Sequence, residues 1–247
     1  MRYITADWVY PVSSPPITEG VVVMDGDRVV DVTHRSEVGA EKLDYFNGML
    51  IPGFINTHCH LELSHLKGQV ATGIGLLSFL ERVVRLRGNS EEEIQQAIQE
   101  ADAYMWREGI QAVGDISNKT DTFITKSRSR IRYYNFVEMF DLMQPHLTGE
   151  LISGNLGVFH QAPEPKAAVP HAPYTVSESL FGKINALNTG EVTVCIHNQE
   201  TPAEEELFRN GTGAFHDFYR QFGFNLDHFK PTGKSSMQYA MAQMDPE

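Results

Sequence analysis

Two histidines one residue apart, His58 and His60, carry the plainest chemical signal in the chain. They follow an apolar run from Met49 to Ile55. Side chains at i and i+2 of a β-strand project to one face, so this pair can aim both imidazoles at a single point. Neutral imidazole is a common zinc ligand, and a metal needs that convergence. Cys59, between them, projects to the opposite face and reads as a buried thiol. Two unrelated histidines at a polar strand end would spell the same letters, so the surrounding sequence has to decide.

The chain has 247 residues, enough for a sizeable core, and a net charge of −12. That charge argues against binding to nucleic-acid polymers or anionic membranes. Only Cys59 and Cys195 are present, so no disulfide framework is expected. No stretch approaches the roughly 18 apolar residues of a membrane span. The opening Met1-Arg2-Tyr3-Ile4-Thr5-Ala6-Asp7 lacks a signal-peptide apolar region. The expectation is a soluble cytoplasmic protein, homo-oligomeric, that acts on a small molecule.

Pro52-Gly53-Phe54-Ile55-Asn56-Thr57-His58-Cys59-His60 resembles the first barrel strand of the amidohydrolase superfamily. Two later segments, Pro170-His171-Ala172-Pro173-Tyr174-Thr175 and His197-Asn198-Gln199-Glu200-Thr201, also match. Their order and spacing are those of the branch containing cytosine, guanine and S-adenosylhomocysteine deaminases and triazine chlorohydrolases. The resemblance runs from about Gly20 onward. It implies an α/β fold, a (β/α)8 metal-dependent hydrolase barrel over residues 51–247, here with strands 1–5 only. Residues 1–50 would form part of a small β-sandwich. It further implies that His58, His60 and His197 hold one divalent metal, zinc or alternatively iron. Glu200 would shuttle protons and His171 would contact substrate. Dinuclear relatives carry a bridging lysine where strand 4 ends. Here Lys166 begins that strand and His171 ends it, which favours a single metal. The loop His60-Leu61-Glu62-Leu63-Ser64-His65-Leu66-Lys67-Gly68 is similar to that of aminofutalosine deaminases. Loops after barrel strands build the active site, so Glu62 and His65 are candidate substrate contacts; the alternative is that Glu62 and Lys67 are solvated loop charges.

The elements that must position these residues follow from the pattern. Tyr3–Val9 reads as a strand, and Val21–Met24 with Asp27–Val32 as a hairpin turning at Asp25-Gly26. Barrel strand 1 is expected over about Leu50–Asn56. Leu76–Leu86 carries a helical stripe. Ser90 with Glu93 is a capping box opening a second helix that stops at Gly109. Ile110–Ile116 and Ile131–Phe140 read as strands 2 and 3, with a short helix, Thr120–Ser127, between them. Glu138, near the end of strand 3, reads as a structural ion-pair partner and is not assigned to the site. Residues 142–165, rich in Gly and Pro, read as irregular. Lys166–Pro170 is strand 4, Ser177–Leu187 a helix, and Val192–His197 strand 5, with Cys195 in the core. Glu204, Glu205 and Glu206 read as charges of a first helical turn. Helices over Ala214–Phe222 and Ser235–Met244 follow.

Too few residues follow His197 for three more strand–helix units of about 30 residues each. Strands 6 to 8 are therefore expected to lie outside residues 1–247, together with a strand-6 histidine and a strand-8 aspartate. The chain is expected to be a fragment or a truncated product, inactive alone. The implied reaction is hydrolytic deamination of an aminated purine, pyrimidine or nucleoside-like substrate. A chlorohydrolase or cyclic amidase would use the same parts on another leaving group. A non-catalytic barrel that binds a ligand is the reading from a different class.

Overall fold

Five short segments build a single sheet at the start of the chain. The computed structural model describes residues 1–39, 42–86 and 88–244, and the chain divides into two units, Met1–Phe54 and Ile55–Glu247. In the first unit the strands are β1 (Arg2–Val9), β2 (Ile17–Thr18), β3 (Gly20–Asp25), β4 (Arg28–His34) and β5 (Asp44–Leu50). The order is β2-β1-β3-β4, with β5 also paired to β1. β3 and β4 form the expected hairpin, and Gly26 supplies the positive φ (60°) of its turn. Val9, Val21 and Val23 are buried. This is a single sheet, one layer; a sandwich consists of two such layers facing each other.

The second unit is organised by a four-stranded sheet in the order β6-β7-β8-β9. Its strands are β6 (Phe54–Cys59), β7 (Ile110–Ile116), β8 (Arg132–Met139) and β9 (Lys166–Pro170). β7 pairs with β8, and β8 with β9, in parallel. Strand 1 starts later than expected, because Pro52 and Gly53 break the chain between β5 and β6. The helices are α1 (Leu76–Arg85), α2 (Glu91–Arg107), α3 (Phe123–Arg128), α4 (Thr148–Leu151), α5 (Ser153–Gln161), α6 (Glu178–Leu187), α7 (Pro202–Asn210), α8 (Phe215–Gln221) and α9 (Ser236–Gln243). Ser90 and Glu93 form the expected capping box on α2.

Alternation along the strands sorts side chains between two layers. Val137, Met139 and Ala168 face Leu180, Phe181 and Ile184 of α6. On the opposite face Phe136, Ala167 and Val169 pack with Ile116, Val192 and Cys195. Glu138 and His171 follow Phe136 and Val169 by two residues and so share that second face. Gly114 lets the sheet close up here: a Cβ on it would lie 2.7 Å from both the Thr57 carbonyl oxygen and the Phe136 ring.

Two expectations fail. Residues 142–165 hold α4 and α5 rather than an irregular stretch. Gly154 and Gly157 weaken a helix, but Leu156, Val158 and Phe159 pack on the β8–β9 core. The Asn155 side chain also donates to the Glu138 carbonyl at 2.9 Å, and such packing outweighs propensity. Conversely, Val192–His197 forms no strand. The Thr193 N–H goes to the Tyr134 phenol at 3.1 Å, and one backbone bond, His197 N–H to the His171 carbonyl at 3.0 Å, joins this run to the end of β9. One bond does not make a ladder.

A buried ion pair braces the sheet against α3. Lys126 Nζ lies 2.6 Å from Asp115 Oδ2, and their side chains are 2% and 0% exposed. Lys126 also donates to Ser117 Oγ at 2.8 Å and Asn135 Oδ1 at 2.7 Å. Asp115 Oδ1 accepts the Leu61 N–H at 2.8 Å, which anchors the turn after His60. Asp115→Ala leaves a buried ammonium without its counter-charge and should cost about 3–5 kcal/mol in urea denaturation. A loss below about 1 kcal/mol, the scale of a surface pair, would show that the pair does not brace the sheet.

Candidate metal centre

His58 and His60 sit at the C-terminal end of β6, where alternation puts both on one face. His60 leaves the strand at φ −115°, ψ 72° and opens a 3-10 turn over Leu61–Leu66. The Nε2 atoms of His58 and His60 are 3.2 Å apart. His197 joins them, its ring centroid 4.7 Å from that of His58 and 5.4 Å from that of His60. Each of the three offers a nitrogen, all within 4.8 Å of one another. Two nitrogens about 2.0–2.1 Å from one tetrahedral ion stand roughly 3.3 Å apart, which the His58–His60 separation matches. His197 Nε2 is buried, with the Glu138 carboxylate 3.3 Å away. These residues fit a divalent metal.

A second set of donors shares His197. Glu138, His171 and His197 also bring ligand atoms within 4.8 Å of one another. Glu138 Oε1 lies 3.3 Å from His197 Nε2, and its Oε2 accepts from the Asn118 side chain at 2.7 Å. Sequence reasoning set Glu138 aside as a structural partner. The signal that could have found it is its register: it stands opposite Val169, two residues before His171, on the layer that points into the site.

His171 directly follows β9, and its ring lies 5.3 Å from that of His197. Its Nδ1 is 2.8 Å from Thr175 Oγ1, which leaves Nε2 free to meet another group. Glu200 follows His197 by three residues. Its Oε1 stands 3.6 Å from His197 Nδ1, and the buried Tyr174 phenol donates to its Oε2 at 2.5 Å. Glu62 stands apart from the imidazoles. It is 4% exposed, and its Oε2 accepts the backbone N–H groups of Asn118 and Lys119 at 2.8 and 2.9 Å. It is therefore not a solvated loop charge. Asn118 links it to Glu138. Both ring nitrogens of His65 are buried without partners.

Burial pushes the imidazoles toward the neutral form that binds metal. It lowers His58 and His171, and takes His60 down to about 4. Burial also lowers His197, but its bond to Glu138 and that carboxylate's charge outweigh this and raise it. For Glu138 burial is again the largest influence and acts upward; the charges of His171 and His60 and the bonds from His197 and Asn118 together hold it at about 2. Burial raises Glu62 to about 7.

The profile of the amidohydrolase family matches residues 49–231. The chain belongs to the amidohydrolase family. A 5'-deoxyadenosine deaminase of Methanococcus maripaludis strain C5 is 30% identical over 221 residues, covering 78% of this chain and 49% of the relative. The crystal structure of Helicobacter pylori aminofutalosine deaminase with methylthio-coformycin superposes with a TM-score of 0.75 at 23% identity, over 90% of this chain and 57% of that one. Zinc-complexed atrazine chlorohydrolase from Arthrobacter aurescens TC1 superposes with a TM-score of 0.65 at 18% identity, over 90% and 58%. The fold is thus that of amidohydrolase barrels, and the chain spans about half the length of the relative and neighbours it matches.

Two outcomes follow. Equilibrium dialysis against Zn2+ should give about one ion per chain, and His58→Ala or His197→Ala should abolish most of it. Two ions per chain would overturn the single-metal reading. The second outcome concerns Glu62. A carboxyl raised from 4.5 to about 7 on folding binds more protons when folded between those values. Its contribution to stability is full below pH 4.5 and is lost as pH rises to about 7. The stability of Glu62→Gln relative to the unaltered protein should therefore improve across that window. An unchanged difference would mean that Glu62 is ionised throughout.

Proposed function

We propose that this chain carries the metal-binding and proton-transfer residues of a hydrolase that deaminates an aminated purine, pyrimidine or nucleoside-like substrate. The observation that carries the reading is the meeting of His58, His60 and His197 beside the Glu200 carboxylate. The aligned relative is a 5'-deoxyadenosine deaminase and the Helicobacter pylori neighbour an aminofutalosine deaminase, which supports the choice of reaction.

We assign His58, His60 and His197 to one divalent ion, and zinc in preference to iron, since a set of imidazole donors would suit zinc. Such an ion, when bound, lowers the pKa of water toward about 7 and so supplies a nucleophile at neutral pH. Glu200 takes up a proton on Oε1 and passes it to the departing amine nitrogen, while the Tyr174 bond keeps Oε2 fixed. His171, neutral and tethered through Nδ1, orients the substrate ring from Nε2. Glu62 contacts substrate from the adjoining loop. In this reading residues 51–247 are the catalytic domain and residues 1–50 a separate β domain. Both cysteines are unpaired, which suits the cytoplasm. Among the described residues no helix is long and apolar enough to cross a membrane.

A dechlorinating or amide-cleaving reaction would use the same residues, and the resemblance in fold to atrazine chlorohydrolase keeps it in play. A screen of aminated and chlorinated heterocycles for released ammonia or chloride separates the two. In the intact protein, Glu200→Gln should retain metal and lose roughly 10²–10⁴-fold in turnover, the range for removing a positioned acid/base. Near-normal turnover would remove Glu200 from the reaction.

A further inference from the structure

Glu204 is fully buried at the third position of α7. A carboxylate there ordinarily reaches back to the N–H of the capping residue, which is Thr201. Glu204 reaches further. Its Oε1 accepts the Gln199 N–H at 3.1 Å, and its Oε2 accepts the Glu200 N–H at 2.9 Å. Gln199 is left-handed, with φ 57°, a conformation that costs a non-glycine residue about 1 kcal/mol or more. A turn of that kind persists only where its surroundings hold it. Burying a carboxylate is itself costly unless hydrogen bonds satisfy it, and here the turn's own N–H groups do so.

The held turn follows His197, from Asn198 to Thr201, and brings the Glu200 carboxylate to 3.6 Å from that imidazole. We propose that Glu204 is a positioning residue: it clamps this turn and so holds Glu200 against His197 and Tyr174. The proposal rests on the reading of Glu200 as the proton-transfer group. Glu204 does not touch substrate, and His197 keeps its own anchor through the His171 carbonyl, so metal binding does not depend on the clamp.

Glu204→Gln tests it, since an amide offers one acceptor oxygen to two N–H donors. Hydrogen exchange should show the Gln199 and Glu200 amides opening about tenfold faster or more in this variant, with α7 amides unchanged. Unchanged exchange at those two amides overturns the clamp, whatever the reaction proves to be. In the intact protein, kcat should fall roughly 10–100-fold with KM and metal content kept, the scale of a misplaced reacting group. A double-mutant cycle with Glu200→Gln decides the route. If Glu204 acts through Glu200, Glu204→Gln costs nothing further in the Glu200→Gln background. Losses that multiply, or an unaffected kcat in Glu204→Gln beside a crippled Glu200→Gln, overturn the positioning role. Full turnover of Glu200→Gln instead removes the underlying reading of Glu200, while the exchange data still judge the clamp.

Discussion

Three imidazoles have to reach one point from opposite edges of a sheet, and this requirement shapes the second unit. His58 and His60 stand on β6, while His197 lies beyond β9, at the far end of the order β6-β7-β8-β9. Adjacent strands are about 4.8 Å apart, so a flat sheet would hold β6 and β9 roughly 14 Å from each other. The His58 and His197 rings are nevertheless 4.7 Å apart. The sheet must curl, as in a barrel, and side chains on its concave face must be small where strands close up. Gly114, between Thr57 and Phe136, meets that demand.

Charge buried at the centre is handled in two ways. The Asp115–Lys126 pair lies on the helix-facing layer, where Lys126 and the Leu61 N–H offset part of the cost of burying the carboxylate. It fixes the turn that follows His60. Glu138 lies on the concave layer, with one amide bond from Asn118 and a cluster of imidazoles before it. The imidazoles and Asn118 offset the cost of burying that carboxylate, and a divalent ion among the same groups would offset it further. The two carboxylates sit in neighbouring strands, and only the pleat decides which of them meets the metal centre.

Much of this was legible in the sequence because local signals agreed with the fold. The His-x-His alternation put Cys59 on the far face, where it packs with Ile98 and Met105. The Ser90–Glu93 capping box and Gly109 bounded α2 within a residue or two. What was not legible depends on partners distant in sequence. Val192–His197 has the composition of a buried strand, but its N–H groups find a phenol and a single carbonyl instead of a ladder. The helix at Ser153–Gln161 overcomes two glycines through its packing on β8 and β9. In the sequence Glu138 reads as a structural ion-pair partner and Glu204 as a first-turn helix charge. Their burial and their partners set them apart: imidazoles and Asn118 face the one, and the N–H groups of a left-handed turn face the other.

X-ray absorption of the zinc-loaded protein tests the central claim most directly. The claim predicts three nitrogen scatterers at about 2.0–2.1 Å with the outer-shell pattern of imidazole, and no sulfur. Loss of one imidazole in His60→Ala should be read in the same spectrum. A sulfur shell at about 2.3 Å, which would bring Cys59 or Cys195 to the ion, or fewer than three imidazoles in the unaltered protein, would contradict it.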